Sequence, residues 1–161
     1  MASLQRITPC LWFNGNAEEA ARFYVSLLPE SQIDNVDRAP AEYPGGAAGD
    51  VLLIEFTLAG QKFQALNGGP EFRFNEAISF SLSCADQAEV DRLWSELTAD
   101  GGAPIQCGWL KDRYGLFWQI VPEALPQMMT NGDAAQAARV FKAMTKMVKL
   151  DIAQLERAYA Q

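Results

Sequence analysis

The chain carries the same pattern twice, and this repetition is the feature that most constrains its fold. Asn16 and Asp86 each precede a glutamate by three residues, the spacing at which the two side chains satisfy backbone N–H groups of a helix start. An apolar stripe of helical period follows each cap, at Ala20, Phe23, Tyr24, Leu27 and Leu28, then at Val90, Leu93, Trp94 and Leu97. Further on, Gln64 and Gln119 stand at the same point of each copy. Two like units usually form a site where they meet, and we expect each unit to contribute its glutamine.

Strand and turn signals give each copy the order βαβββ. The first copy has a strand in 7–13, a helix at 17–28 and strands at 31–36, 51–58 and 61–67. The second has a strand at 77–84, a helix at 86–99 and strands at roughly 104–111 and 114–121, one strand fewer than the order assigned to it. One helix per unit leaves an open sheet, so we expect an α+β fold in which two modules form a cupped mixed sheet with helices outside.

The repeat also sets the domain boundaries. We assign residues 1–127 to one domain of two modules, at about 5–68 and 74–122, and residues 128–161 to a C-terminal helical extension. The apolar faces predicted for its helices, 133–147 and 151–160, are Ala134, Ala137, Ala138, Phe141, Met144 and Val148, then Ile152, Leu155 and Tyr159. These faces either pack back on the domain or dock on a partner subunit.

Composition removes several classes of function. A net charge of −7 argues against nucleic acid as a partner, because phosphate binding requires a surplus of Lys and Arg on one face. No apolar run is long enough to span a membrane, and no charged leader precedes an apolar run at the N-terminus, which favours the cytoplasm. The sequence has no histidine, and this excludes Ser-His-Asp triads, Cys-His pairs and HExxH zinc sites. Cys10 and Cys84 lie in apolar runs and are expected to be small buried hydrophobes.

Several segments carry a resemblance to a known family: 7–13, the helix at 17–28, 55–58, 75–80, 86–91 and 107–115, the last of which contains Gly-Trp-Leu-Lys-Asp. They resemble the PhnB-like branch of the vicinal oxygen chelate (glyoxalase/bleomycin-resistance) superfamily, a branch often labelled the 3-demethylubiquinone-9 3-methyltransferase family. The resemblance covers about residues 5–125. It implies paired βαβββ modules in a cupped sheet, usually within a homodimer.

The resemblance also implies where a divalent metal would bind, since superfamily enzymes take ligands from the first and last strands of each module. Matched by strand position and by the helix that follows, these places are Pro9, Gln64, Ala77 and Gln119. Pro9 and Ala77 offer no side-chain ligand, and two neutral glutamines would leave the charge of a hard cation uncompensated. Glu55, on a neighbouring strand, could add one carboxylate. We expect no bound metal and no cofactor.

The methyltransferase activity named by the family label has no support in the motifs. Binding of S-adenosylmethionine usually requires a glycine-rich turn between a strand and a helix, followed by an acidic residue for the ribose. The glycine pairs of this chain, at 45–46 and 68–69, lie in loops outside such a context.

The period of two along each strand predicts which side chains line the cup. The expected ligand-binding residues are Leu11, Phe13, Gln64, Ser79, Ser81, Trp109, Phe117 and Gln119. Such a lining suits a small, partly hydrophobic, uncharged or weakly polar ligand. Either glutamine could instead only satisfy a neighbouring backbone group, and the two serines could be ordinary strand residues.

Glu55 and Glu76 are the candidate catalytic residues, because a carboxylate near aromatic walls can have its pKa raised towards neutrality and act as a general base. Three functions therefore stay open. The first is a small-molecule binding protein, as bleomycin-resistance relatives are. The second is an enzyme, whether a metal-dependent lyase or dioxygenase, a metal-independent enzyme using a glutamate, or the methyltransferase of the label. The third is an interaction protein whose own side chains fill the cup.

Overall fold

The first compact unit of the chain has the predicted order βαβββ. The computed structural model describes residues 5–161, which divide into two units between Arg73 and Phe74. The elements of the first unit are β1 (Cys10–Phe13), α1 (Ala17–Leu27), β2 (Gln32–Arg38), β3 (Val51–Leu58) and β4 (Gln61–Asn67). They form a sheet of order β1-β4-β3-β2, in which β1 and β4 are parallel and the other pairs antiparallel.

Alternation along β3 explains why α1 packs on one face of this sheet. Ile54, Phe56 and Leu58 are buried, whereas the residues between them are half-buried. The side of α1 that meets them is lined mainly by small residues and one aromatic ring: Ala17, Ala20, Ala21, Tyr24 and Leu27. Small side chains let the helix approach the sheet closely, and the face opposite α1 is left for other contacts.

The two predicted helix caps turn out differently. Asp86 caps the second helix as expected, since its side chain accepts a hydrogen bond from Glu89 N at 2.8 Å. The prediction for Asn16 is wrong, because its side chain makes no cap hydrogen bond. Asn67, buried at the end of β4, supplies the acceptor instead: its Oδ1 accepts from Ala17 N at 2.9 Å, and its Nδ2 donates to Val51 O at 2.9 Å.

The second unit repeats the order and the sheet topology of the first. Its elements are β5 (Phe80–Cys84), α2 (Gln87–Thr98), β6 (Ala103–Pro104), β7 (Trp109–Lys111) and β8 (Phe117–Pro122), and its sheet order is β5-β8-β7-β6. The parallel pair and the two antiparallel pairs fall in the same places as in the first unit. The predicted α+β fold built from two βαβββ modules is confirmed.

The single strand predicted at 104–111 is wrong, because the chain reverses within it. Ala103 pairs with Lys111 across a tight turn, at which Cys107 and Gly108 adopt φ values of 58° and 80°. The turn is held from outside the sheet by the C-terminal region: Cys107 N donates to Met147 O at 2.9 Å, and Gly108 N donates to Val148 O at 2.8 Å. A β-propensity pattern carries no information about such a distant anchor.

Asp112 organises the predicted turn between β7 and β8. Its carboxylate is only 1% exposed, and its Oδ1 accepts from Tyr114 N at 2.8 Å and from Leu116 N at 3.0 Å. Its Oδ2 accepts from Trp118 Nε1 at 2.8 Å. One buried carboxylate thus fixes both the turn and the indole of β8, and it does so with charge-assisted hydrogen bonds.

Three helices follow the sheet of the second unit: α3 (Ala124–Asn131), α4 (Ala134–Met144) and α5 (Ile152–Ala160). The sequence did not predict α3, which carries Pro126 in its first turn, where proline is tolerated. The helices pack around a core of Leu125, Val140, Met147, Leu150 and Leu155, against which Val121 of β8 also packs. Among residues 5–161, no helix is long and apolar enough to cross a membrane.

The predicted apolar faces of these helices are partly wrong. Phe141 and Val148, both assigned to the packed side, are 53% and 46% exposed. Val140 and Met147, one residue earlier in each case, are buried instead. In a segment this rich in alanine, several stripes satisfy the helical period, and the packing partner decides which one is buried.

Candidate functional site

Gln64 lies on the face of the first sheet opposite α1, and we call this surface the first glutamine face. Strand register places Cys10 of β1 on one side of Gln64 and Glu55 of β3 on the other. The next row of this face holds Trp12 and Leu66. The first glutamine face is therefore defined by Cys10, Trp12, Glu55, Gln64 and Leu66, of which Glu55 is a half-buried carboxylate directly opposite the amide.

Leu11 and Phe13 do not belong to this face, so their prediction as companions of Gln64 is wrong. Leu11 pairs with Ala65 and Phe13 with Asn67, which places both on the side covered by α1. They are 6% and 3% exposed and form part of the core. Alternation along each strand can be predicted from the sequence, but the register between β1 and β4 cannot. A shift of one residue in that register exchanges the two faces.

Cys10 and Trp12 are the residues of this face that the sequence analysis missed. Cys10 was expected to be buried but is exposed, although desolvation by the surrounding protein raises the pKa of its thiol and disfavours the thiolate. Trp12 Nε1 donates to Gly69 O at 2.9 Å, and its ring packs edge-on against Phe72 at 4.9 Å. A Cβ at Gly68 would lie 2.4 Å from the indole, so the glycine pair 68–69 was a signal that a ring packs there.

The second glutamine face lies opposite α2 on the second sheet. Register places Gln119 between Ser81 of β5 and Trp109 of β7, and Phe117 precedes Gln119 by two residues on the same side of β8. Gln119 Nε2 donates to Ser79 Oγ at 2.9 Å. The structure thus brings five of the predicted ligand-binding residues together on one face of the second sheet: Ser79, Ser81, Trp109, Phe117 and Gln119.

The acceptor of the Gln119 amide is open to further contact. Within residues 5–161, no protein donor forms a hydrogen bond to Gln119 Oε1. The neighbouring groups are an exposed hydroxyl, Ser81, and the half-buried ring of Trp109, while Lys111 is exposed at the end of β7 on the same side. The second glutamine face thus combines one fixed amide acceptor with aromatic surface.

The two faces differ at equivalent positions. Gln64 is opposite Glu55 in the first unit, whereas Gln119 is opposite Trp109 in the second. The duplicated backbone therefore presents a carboxylate beside one amide and an indole beside the other. The first face suits a polar or proton-accepting role, and the second suits stacking and neutral hydrogen bonding.

Glu76, the other candidate base, does not meet the condition that suggested it. It is exposed in the turn before β5, next to Asn75, whose Oδ1 accepts a hydrogen bond from Ala77 N at 2.9 Å. Its exposed carboxylate therefore lacks the aromatic walls on which its candidacy rested. Of the two glutamates, only Glu55 stands on a glutamine face.

Strand register corrects two of the four places matched to metal ligands. The equivalent pairs of the two sheets are Cys10 with Gln64 and Ser81 with Gln119. Gln119 donates a hydrogen bond to Ser79, which lies two residues before Ser81. The equivalent residue of the first unit, two residues before Cys10, is Thr8, so Thr8 and Ser79 replace Pro9 and Ala77 as the matched places. Pro9 falls on the alternate position, and Ala77 lies in the turn before β5. The match failed because Pro9 and Ala77 are 68 residues apart, whereas Cys10 and Ser81, the register partners of the two glutamines, are 71 residues apart.

The corrected donor set does not fit a divalent metal. Each unit offers one neutral hydroxyl and one neutral amide, and in the second unit the hydroxyl of Ser79 already accepts a hydrogen bond from the amide of Gln119. Divalent cations in proteins are held by charged or imidazole ligands, and Glu55 is the one carboxylate in the cross-strand rows that hold Gln64 and Gln119. In the described part of the chain, no group of three or more Cys, His, Asp or Glu residues could hold a metal ion.

The fold and the two faces define the class of protein: a pair of βαβββ modules, each of which carries one glutamine face. The sequence matches the 3-demethylubiquinone-9 3-methyltransferase family over residues 5–121, and the chain belongs to this PhnB-like family. The resemblance stated from the sequence is thereby confirmed. Among proteins with curated descriptions, none matches the chain.

Three solved structures are similar to the chain, and the first of them also carries the PhnB name. The chain is 35% identical to the PhnB protein from Bacillus cereus, with a TM-score of 0.66 over 73% of this chain and 99% of that one. It is 25% identical to protein PA1353 from Pseudomonas aeruginosa, with a TM-score of 0.61 over 75% and 98% of the two chains. A glyoxylase/bleomycin resistance protein/dioxygenase domain from Frankia sp. EAN1pec is 15% identical, with a TM-score of 0.48 over 74% and 93%.

Proposed function

We propose that this PhnB-like protein binds a small, partly hydrophobic molecule at the second glutamine face and does so without a metal. The observation that carries the proposal is the hydrogen bonding of Gln119: its amide nitrogen is fixed by Ser79, while its Oε1 accepts from no donor within residues 5–161. A fixed acceptor beside an aromatic ring is the arrangement that orients a ligand with one N–H or O–H group and an apolar body. The half-buried ring of Trp109 supplies surface for that body, and the buried ring of Phe117 lies beneath the same face.

The test begins with a thermal-shift screen of the full chain against quinones, aromatic antibiotics, thiol adducts and S-adenosylmethionine. Compounds that raise Tm are then titrated by calorimetry into the native protein and the Gln119→Leu variant. We expect the affinity of Gln119→Leu to fall by about fivefold, since one neutral hydrogen bond contributes about 1 kcal/mol. Gln61→Leu, the same change at an exposed position of β4, is the control and should bind as the native protein does.

Two results would count against this proposal. One is a screen in which no compound stabilises the protein. The other is a compound whose affinity is the same for Gln119→Leu and the native chain, since the ligand would then bind elsewhere.

The metal-free part of the proposal rests on the neutral donor set and has its own test. Protein purified with and without a chelator should give the same ligand affinity, and elemental analysis should find no stoichiometric metal. A stoichiometric metal that is lost in Gln64→Ala would contradict it.

A metal-independent enzyme is the second candidate function, and Glu55 is the observation that favours it. A half-buried carboxylate opposite an amide on the first glutamine face is placed to accept a proton from a bound ligand. Mass spectrometry of each stabilising compound after incubation would detect turnover, and Glu55→Gln should abolish it. The homodimer implied by the family resemblance also stays a prediction, which analytical ultracentrifugation checks.

A further inference from the structure

A groove of about 520 Å³ lies between α4 and α5, in the part of the chain that follows the family match. On each helix the lining residues recur every three or four positions, so they lie along one side of that helix. The residues from α4 and the turn after it include Arg139, Lys142 and Lys146, and those from α5 include Arg157. Two alanines, one on each helix, keep the groove wide, and its volume suits a small organic ligand.

The charge of the groove is one-sided. Arg139, Lys142, Lys146 and Arg157 all line it, and no acidic side chain does. None of the four forms a salt bridge with a residue of the described range 5–161. Lys149, only three residues beyond Lys146, is by contrast paired with Asp91 at 2.5 Å. Four uncompensated cations in one concavity are unusual in a protein whose net charge is −7.

The acidic residues nearby are engaged elsewhere. Asp133 caps α4 by accepting from Gln136 N at 2.7 Å, and Asp151 caps α5 by accepting from Gln154 N at 2.8 Å. Glu156 is exposed on α5 and does not line the groove. The positive charge is therefore not balanced by the two helices that carry it.

Stabilisation of helix ends explains only part of this cluster. Arg139 Nε donates to Ala158 O at 3.1 Å, so its guanidinium satisfies a carbonyl at the end of α5. Lys142 and Arg157 lie in the last turns of their helices, where a cation is favourable. Cations can stabilise helix ends without lining the same cavity. Because these four do line one cavity, they repel each other. A bound anion would relieve that repulsion.

We propose that this groove binds a small organic polyanion, such as a phosphate ester or a polycarboxylate. Arginine presents a planar fork of N–H donors that matches phosphate and carboxylate oxygens, and lysine adds a mobile point charge. The site is an addition to the family fold, because the match ends at residue 121 while the similar PhnB structure is covered over 99% of its length. It is separate from the second glutamine face and does not depend on the function proposed there.

The experiment titrates inorganic pyrophosphate and citrate into the full chain by calorimetry at constant ionic strength. We expect saturable binding that weakens by about tenfold or more in each of Lys142→Gln and Arg157→Gln, the effect of removing one hydrogen bond to a charged group. Both side chains are exposed and make no hydrogen bond within the described chain, so the variants should keep the native Tm. Arg73→Gln removes one charge at an exposed position outside the groove and should bind as the native protein does.

Three results would overturn the inference. The first is the absence of saturable binding of both anions at millimolar concentration. The second is an equal loss of affinity in Arg73→Gln, which would reduce the effect to net charge. The third is sedimentation of the protein with phosphatidylglycerol vesicles without binding of either soluble anion, which would identify the surface as a membrane contact.

Discussion

Replacement of Asp112 by alanine should destabilise the second unit more than most single changes, because one side chain satisfies three donors. Tyr114 N, Leu116 N and Trp118 Nε1 all donate to its carboxylate at distances of 2.8–3.0 Å. The carboxylate and the indole of Trp118 are both 1% exposed, so water does not reach Nε1 in the folded chain. The alanine variant leaves these donors without an acceptor.

The cost follows from that count. A buried donor left unsatisfied costs about 1–3 kcal/mol, and the half-buried turn at Tyr114 admits water more easily than the indole does. We therefore expect a loss of about 3–5 kcal/mol for Asp112→Ala. Asp112→Asn keeps one carbonyl for the turn but sets an NH₂ group against Trp118 Nε1, so its cost should be about 2 kcal/mol.

Urea unfolding followed by tryptophan fluorescence measures both values. With a slope of about 2 kcal/mol/M, the alanine variant should unfold at about 2 M less urea than the native protein. Asp37→Asn, at an exposed position of β2, is the matched control and should change the midpoint little. If Asp112→Ala costs about 1 kcal/mol or less while the Leu116 amide stays protected from hydrogen exchange, water or another acceptor replaces the carboxylate, and the reasoning fails.

Two further predictions concern the ties between elements. Asn67→Ala should cost about 2–3 kcal/mol in thermal unfolding, because α1 loses its cap and Val51 O its donor, and a loss no larger than that of exposed Asn14→Ala would contradict this. Hydrogen bonds from Lys149 and then Gln87 lower the pKa of Asp91, so this contact contributes fully above the ordinary Asp value of about 4 and is lost as the pH falls through the lowered pKa. The protection factors of the amides in residues 148–152, which correct for the intrinsic pH dependence of hydrogen exchange, should therefore fall below about pH 4 in the native protein and not in Asp91→Asn; an equal fall in both would contradict the assignment.

The order of the elements could be predicted from the sequence because local signals specify it. β3 and β4 begin and end at the predicted residues, since a glycine turn separates two alternating runs. The turn at Cys107 could not be predicted, because carbonyls some forty residues later in the chain hold it. The cap of α1 was missed for the same reason, since its acceptor belongs to Asn67 and not to the adjacent Asn16.

The residues of the candidate site could also be predicted only in part, because their arrangement depends on contacts between strands. In the second sheet, the residues chosen from β5 and its preceding turn, Ser79 and Ser81, do share a face with Gln119, although alternation alone does not relate one strand to the next. In the first sheet, the same reasoning placed Leu11 with Gln64, although β1 presents Cys10 and Trp12 there. Alternation fixes which residues of one strand share a face. Only the pairing between strands says which of the two sets meets the partner, and in a parallel pair no hairpin turn sets that register.

The two glutamines show how duplication and divergence contribute separately to the site. The shared sheet order gives Gln64 and Gln119 the same pair of neighbouring strands, so the geometry around each amide is inherited from the repeat. The residue opposite each amide differs between the two copies: it is Glu55 in the first unit and Trp109 in the second. Because a carboxylate and an indole favour different ligands, the repeat predicts where ligand contacts form, while the exchanged neighbour decides what each face can bind. Replacing the two glutamines would therefore change two chemically different surfaces. Trp109→Ala should weaken a ligand that binds at the second glutamine face, and Glu55→Gln should weaken one that binds at the first, so comparing the ligand affinity of the two variants shows which face is used.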